Sequence, residues 1–222
     1  MSAVSGVTVG VMARAPVPGR CKTRLIPLLG RAGAAELYQA MLLDSLDAYA
    51  RTGASRFVVM AAPEDEGAAA LRALVPATWE VIAQRGDGLG ERLADALAVL
   101  GADGDAVALV SSDSPTIDPV SIAVAFERLA RGSHAHRALL GACVDGGYYL
   151  IALTTPDAGV FRDVPWSTAA VADTTRARCR ELGLALEELP VALDVDEPDD
   201  VARLRAELRG HSRAPRTARV LA

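Results

Sequence analysis

Arg14, Arg20, Lys22 and Arg24 fall within eleven residues of one another in the segment VMARAPVPGRCKTRL, residues 11–25. Cations at that density on a short loop suit a multiply charged anion, above all the phosphates of a nucleotide. Pro16 and Pro18 forbid a helix and stiffen the turn. Gly19 permits positive φ or a close approach of backbone to ligand. Lys22 follows Cys21 rather than a glycine, so this is not a Walker A loop. By itself the loop also reads as a solvated surface turn, and the choice rests on the remainder of the chain.

Acidic residues supply the other half of the chemistry. Asp113 follows the apolar run 106–111 within SSDSPTI (111–117), which puts a carboxylate at the C-terminal end of a buried strand. An isolated buried charge is costly. Magnesium is a natural partner, because it takes hard oxygen ligands and bridges carboxylates to phosphates. Alternatively, Asp113 caps the turn at Ser114-Pro115. In LDVDEPDDVARL (193–204), Asp194 and Asp196 flank Val195 and project to one side of an extended segment. Asp196 also reads as the N-cap of the last helix, with Asp199 in a capping-box position; one oxygen can cap while the other ligates. Asp145-Gly146-Gly147 reads either as a hairpin turn or as a ligand contact. In the second case Asp145 accepts a hydrogen bond from a hydroxyl or acts as a base, and the glycines leave room for the ligand. Trp166 reads either as a wall beside Tyr148 or as core. Ser167 or Thr168 reads as the cap of the helix that follows.

These residues need a frame. Strands are expected over 7–13, 56–62, 80–83, 106–111, 138–143 and 148–153, with a further extended segment over 184–189. A helix is expected over 34–50, where Leu37, Tyr38, Met41, Leu42, Leu46 and Tyr49 fall on a helical repeat. Others are expected over 64–74 and 88–100, and from an N-cap at Asp118 with Pro119 at the first helical position. That helix carries Ile122, Ala125, Phe126 and Leu129 inward. Two more are expected over 167–182, stopped by Gly183, and over 197–208. The alternation predicts an α/β fold, a three-layer α/β/α sandwich around a mostly parallel mixed sheet. Ligands of such sheets bind at the C-terminal strand ends, where both the cationic loop and Asp113 fall. One domain is expected over 1–209, and 210–222, with Arg213, Arg216 and Arg219, reads as a flexible basic tail.

Composition removes several classes of function. The chain is 222 residues long and 51% apolar, enough for a full core. A net charge of −5, with no clustered basic face, argues against nucleic acid. No apolar run approaches the ~18 residues of a membrane span, and no secretory signal is evident. A cytoplasmic protein is therefore expected. Cys21, Cys143 and Cys179 are odd in number and far apart, which fits a reducing compartment rather than disulfides or zinc. Cys21 reads as a space-filling residue, or as a reactive thiol if the neighbouring cations lower its pKa. His134 and His136 lack companion zinc ligands. GDGLG lacks the spacing of a dinucleotide fingerprint, and no nucleophile elbow is present.

The segments ARAPVPGRCKTRL, GDGLGERLADAL (86–97), SSDSPTI, DGGYYLIAL (145–153), VPWST (164–168) and DVDEPDDV (194–201) resemble, in pattern and order, a bacterial glycosyltransferase-like family, DUF2064. That family is related to the 2-phospho-L-lactate guanylyltransferases. The resemblance spans residues 7–205 and implies the GT-A, or nucleotide-diphospho-sugar transferase, fold. It implies a nucleotide site with Ala13, Arg14, Gly19, Lys22 and Arg24 at the phosphates and Gln84, Leu89, Gly90 and Arg92 near the base. It implies Mg²⁺ or Mn²⁺ on Asp113 and Asp196, with Asp194 in reserve. The implied acceptor site comprises Asp145, Gly146, Gly147, Tyr148, Trp166 and Ser167. Catalytic roles would fall to Lys22, Arg24, Asp113 and Asp145. Many relatives carry Pro and Glu shortly before DGG where this chain has Ala142 and Val144, which implies a different acceptor. The expected reaction is nucleotidyl transfer from an NTP to a small phosphorylated or hydroxylated acceptor, with release of pyrophosphate. Glycosyl transfer from a nucleotide-diphospho-sugar, with Asp145 as base, is the second expectation; a non-catalytic nucleotide sensor is the third. A monomer or homodimer is expected.

Overall fold

Small and β-branched residues run almost without interruption through Val7–Ala13 (β1) and Ala106–Val110 (β4), and both strands are buried nearly throughout. Strands covered on both faces need such sequences. They form the centre of a seven-stranded sheet with Arg56–Ala61 (β2), Glu80–Ala83 (β3), Arg137–Ala142 (β5), Tyr148–Leu153 (β6) and Ala185–Glu188 (β7), in the order β3-β2-β1-β4-β6-β5-β7. Only β6 runs antiparallel to its neighbours β4 and β5; the other pairings are parallel. The structure is a computed structural model and describes residues 6–63, 67–131, 136–210 and 212–222. The expected start of a helix at 64 and the position of His134 lie outside the described residues.

Helices cover both faces of the sheet, as the α/β/α expectation requires. Ile26–Ala50 (α1), Gly67–Leu74 (α2) and Pro119–Arg131 (α4) pack on one face, through Leu46, Tyr49, Leu71, Phe126 and Leu129. Leu89–Leu100 (α3) and Val171–Glu181 (α5) pack on the other, through Leu97, Leu100 and Cys179. Gly10 of β1 is where α3 comes closest, since a Cβ there would collide with Leu100. A third apolar cluster joins the first half of α1 to Pro198–Leu208 (α6) and to the chain end through Leu37, Met41, Val201, Leu204 and Leu221. Among the described residues no helix is long and apolar enough to cross a membrane.

The element boundaries differ from expectation in three informative places. The first helix starts at Ile26 rather than 34, continuing a short 3₁₀ turn at Thr23–Leu25, and is broken at Gly30 by φ 71°, ψ 171°. Only a glycine accommodates that break cheaply. The fifth helix starts at Val171 rather than 167. Thr168 instead closes a local turn, donating to Pro165 O at 2.8 Å and accepting from Ala170 N at 3.3 Å, so neither Ser167 nor Thr168 is its N-cap. The reading of 210–222 as a flexible tail is overturned for its second half. Pro215–Val220 forms a helix (α7) docked on α1. Its anchor is Asp44, whose side chain is fully buried and accepts hydrogen bonds from the Thr217 backbone and hydroxyl, both at 2.8 Å, and from Arg216 Nη1 at 3.1 Å. Sequence periodicity gives no sign of this role for Asp44, because its partners lie more than 170 positions away.

Asp44→Ala leaves the buried Thr217 donors unpaired. Losing a buried, hydrogen-bonded carboxylate costs about 3 kcal/mol, a drop of about 6–12 °C in Tm for a chain of this size. Thermal unfolding followed by circular dichroism checks this, with Asp47→Ala as the control. Asp47 meets the same arginine but is half exposed, so its loss costs no more than about 1 kcal/mol.

Candidate active site

Four chain segments reach the same end of the sheet. The loop after β1 carries Arg14 and Lys22, and the loop after β4 carries Asp113. The turn between β5 and β6 carries Asp145. The segment 193–196 arrives through a bridge pairing Cys143 with Ala192, which prolongs the sheet just past the end of β5. It is then held by a hydrogen bond from Val195 N to Asp113 O at 3.2 Å. Tyr38 on α1 ties the two central strand ends together. Its hydroxyl accepts from Arg14 N at 3.1 Å and shares a hydrogen bond with Ser112 Oγ at 3.0 Å. The helical repeat reveals Tyr38 as core but not that its polar tip organises the site.

At the centre, Lys22 Nζ lies 2.5 Å from Asp113 Oδ2 and 2.7 Å from Asp196 Oδ1. Its side chain is only 6% exposed, and the ammonium stands 5.9 Å from the centre of the Tyr38 ring. Burial opposes the charge on Lys22, but the attraction of Asp113 and Asp196 outweighs it and holds the ammonium well above its ordinary pKa. Asp196 is only half-buried; desolvation opposes its charge, and Lys22 more than compensates, lowering its pKa. One signal in the sequence marks this position. Lys22 is the only lysine in the chain, beside 22 arginines. An ammonium is a compact point charge that fits between two carboxylates, whereas a guanidinium is a planar fork.

Asp196 is available for this contact because it is not the helix cap. The N-cap of α6 is Glu197, paired with Asp200 in a capping box, one residue later than expected. Asp194 stands behind the other two. One oxygen from each of Asp113, Asp194 and Asp196 lies within 4.8 Å of the others. Asp194 Oδ1 is buried with no hydrogen-bond partner. Burial first, and the negative charge of Asp113 next, push its pKa up to about 9. Three converging carboxylates, one with an orphaned oxygen, are a donor set that fits Mg²⁺ or Mn²⁺.

Beside this centre opens a cleft of about 730 Å³. Ala13, Arg14, Arg24, Gln84, Leu89 and Arg92 are among the residues that line it. So are Asp145, Gly147, Tyr148, Trp166 and Ser167. The cations are engaged with protein in this state. Arg24 pairs with Glu197 at 3.2 Å, and Arg92 donates to Gly86 O at 2.9 Å. Gln84 is fixed by donating Nε2 to Met60 O at 2.6 Å. Three glycines of these segments meet protein closely or turn the backbone, Gly19 taking the positive φ expected of it. A Cβ on Gly90 would lie 2.6 Å from Trp166 Nε1, one on Gly146 would run into Ala169 O, and Gly19 turns at φ 82° against the stem of Arg31. Asp145 Oδ1 accepts from Gly147 N at 2.9 Å, so the turn reading is realised and the carboxylate still faces the cleft.

Comparison with known proteins places this geometry. Residues 45–168 match the profile of a family described as "Uncharacterized protein conserved in bacteria (DUF2064)". A protein of Desulfovibrio desulfuricans G20, assigned as a nucleotide-diphospho-sugar transferase, is 30% identical; the match covers 100% of this chain and 94% of that one, with a TM-score of 0.88. Rv0371c of Mycobacterium tuberculosis H37Rv, solved in complex with manganese, is 19% identical over 90% of this chain and 98% of that one, with a TM-score of 0.54. A CMP:2-keto-3-deoxy-manno-octonic acid synthetase, solved with CTP, is 16% identical over 93% of this chain and 99% of that one, with a TM-score of 0.55. The last two establish likeness of fold. No curated protein matches the chain.

The contact of Gly90 with Trp166 is directly testable. Gly90→Ala gains about 1 kcal/mol of helix propensity but overpacks the indole, at a cost of about 1–3 kcal/mol. The variant should show a shifted Trp166 emission and a coupling of about 1 kcal/mol with Trp166→Leu in a double-mutant cycle read by chemical unfolding.

Proposed function

The chain belongs to the DUF2064 family and has the nucleotide-diphospho-sugar transferase fold, and on that premise we propose that it is a divalent-metal-dependent nucleotidyltransferase. In this reading an acceptor phosphate or hydroxyl attacks the α-phosphorus of an NTP. The bond to the β-phosphate breaks, and pyrophosphate leaves. The observation that carries the reading is the meeting of Lys22, Asp113 and Asp196 at the wall of one cleft whose neighbouring rim holds Arg14 and Arg24. A triphosphate is the nucleotide group with most negative charge to satisfy, and this is the most cation-rich part of the cleft.

Asp113 and Asp196, with Asp194 behind them, would hold Mg²⁺ or Mn²⁺. When bound, the cation supplies charge neutralisation at the phosphates. The manganese complex of Rv0371c and the CTP complex of the octonic acid synthetase support both ligand classes on this fold. The chain's own residues then do three things. Arg14, Lys22 and Arg24 bind and neutralise the triphosphate. Gln84, Leu89 and Arg92 form the wall against which the base lies. Asp145, Tyr148, Trp166 and Ser167 orient the acceptor. Such catalysis is positioning plus electrostatics and needs no covalent nucleophile.

Glycosyl transfer is the second reading, favoured by one observation. The Asp145 carboxylate is exposed at the acceptor side, where it is placed to take a proton from an acceptor hydroxyl. Product analysis separates the two. The protein incubated with NTPs, Mg²⁺ or Mn²⁺ and a panel of phosphorylated and hydroxylated acceptors should release pyrophosphate. Release of nucleoside diphosphate from sugar nucleotides would establish the glycosyl reading instead. Nucleotide binding with no turnover of either kind would make the protein a sensor. Asp113→Asn should lower kcat/KM by about 10²–10³-fold, the cost of losing one preorganised electrostatic contact.

A further inference from the structure

We propose that Lys22 is a built-in counter-ion that holds the carboxylate centre closed until a divalent cation displaces it, so that cation binding is what frees the lysine for the phosphates. This rests on the metal-dependent reading above and adds how that site is regulated. A single group is here asked to contact a phosphate and is found instead bridging the two carboxylates that would hold the metal, at 2.5 and 2.7 Å. Both occupants cannot sit there. Mg²⁺ binds carboxylate oxygens at about 2.0–2.1 Å, which would place a dication within a few ångströms of the ammonium on the same two carboxylates. The lysine must leave.

The surroundings are built for such an exchange. Lys22 has φ 43°, ψ 47°, a left-handed conformation that residues other than glycine rarely adopt. The backbone is thus held in an unfavourable state while the side chain points at the aspartates, and such strain gathers at switching sites. The residue sits between a proline-stiffened loop and a 3₁₀ turn, and the cleft opens beside it. The side chain therefore has space to swing into without unfolding anything. The choice of side chain fits too. Every other basic position outside the histidines is arginine, and only here does the chain use an ammonium. A guanidinium would bind a carboxylate through two parallel hydrogen bonds. An ammonium bridging one oxygen from each of two carboxylates is a better mimic of a metal ion, and a releasable one.

Linkage makes the exchange reciprocal. Phosphates that draw Lys22 away from Asp113 and Asp196 tighten cation binding, and the cation tightens phosphate binding, beyond what direct chelation supplies. The free protein then has low affinity for either ligand alone.

Because the chain has one lysine, its reactivity reports this directly on the intact wild-type protein. Acetylation by acetic anhydride, read by mass spectrometry, should be slow at Lys22 in EDTA and several-fold faster in saturating Mg²⁺. Inorganic tripolyphosphate added with Mg²⁺ should slow it again. In parallel, Mn²⁺ binding without nucleotide, followed by electron paramagnetic resonance, should be at least about tenfold tighter in Lys22→Met than in wild type, within the usual span of allosteric coupling. Should that variant fail to fold, the acetylation series on wild type decides alone. A Lys22 rate unmoved or lowered by Mg²⁺, or Mn²⁺ affinity in the variant equal to or weaker than wild type, overturns the proposal. Mn²⁺ bound by wild type with Lys22 still protected overturns this proposal and leaves the metal-dependent transferase standing. Mn²⁺ bound by neither protein removes both. Displacement of Lys22 by Mg²⁺ with no pyrophosphate released from any NTP removes the nucleotidyl reading and leaves the exchange.

Discussion

Three carboxylates and one ammonium, drawn from loops 91 and 174 residues apart in sequence, meet at the end of the sheet. Everything at this end of the molecule depends on that meeting. Asp113, Asp194 and Asp196 repel one another at these distances, and the ammonium of Lys22, bonded to two of them, brings opposite charge to the centre. The lysine is nearly sealed from water, so its charge is little screened. The arrangement stabilises the site only as a unit. Without the ammonium, two aspartates lose their counter-charge and the third, already orphaned at Oδ1, gains nothing. Chemistry and stability are therefore set by the same few atoms.

The sheet order explains how such distant segments converge. β1 and β4 are neighbours and parallel, so the loops after both leave from one edge. β6 is antiparallel, so it begins where β5 and β4 end, and its turn with β5 delivers Asp145 to that same edge. The bridge from Cys143 to Ala192 then brings 193–196 alongside. A wholly parallel sheet would have placed the start of β6, and Tyr148 with it, at the opposite end. One reversed strand is thus what brings the start of β6 to the end that carries the cationic loop.

Much of this was legible from local pattern. Buried strands announce themselves as apolar runs, and the centre strands 7–13 and 106–110 agree with expectation to within a residue. The cationic loop and Asp113 were legible for the same reason: both abut such a run. What was not legible is long-range. The docking of 215–220 rests on Asp44, and a buried aspartate on a helix looks like any polar residue until its partner is known. The cap of α6 is Glu197 rather than Asp196, because in an acidic run several residues can cap and the tertiary pull of Lys22 decides which does. The kink at Gly30 lies inside a segment whose periodicity is too weak to start a helix on its own, and α1 extends through it because the cluster with α6 buries that half.

The glycines carry a further lesson about reading motifs. A glycine in a signature segment says that something approaches the backbone closely, and says nothing of what. At Gly90 the neighbour is the indole of Trp166, and at Gly146 it is the backbone of Ala169. Ala172 N also donates to Gly146 O at 2.9 Å, fastening the start of α5 to the same turn. The N-terminus of α3, the loop 164–169 and the turn at 145–147 are therefore packed against one another. Trp166 contacts Tyr148 and Phe161 on its remaining sides, at 6.4 and 6.3 Å between ring centres. The part of the cleft lined by α3 and the part lined by the 145–147 turn and Trp166 are in this way one packed body. These parts of the cleft are thereby fixed relative to each other by protein contacts, and the exchange proposed for Lys22 takes place against a frame that need not move.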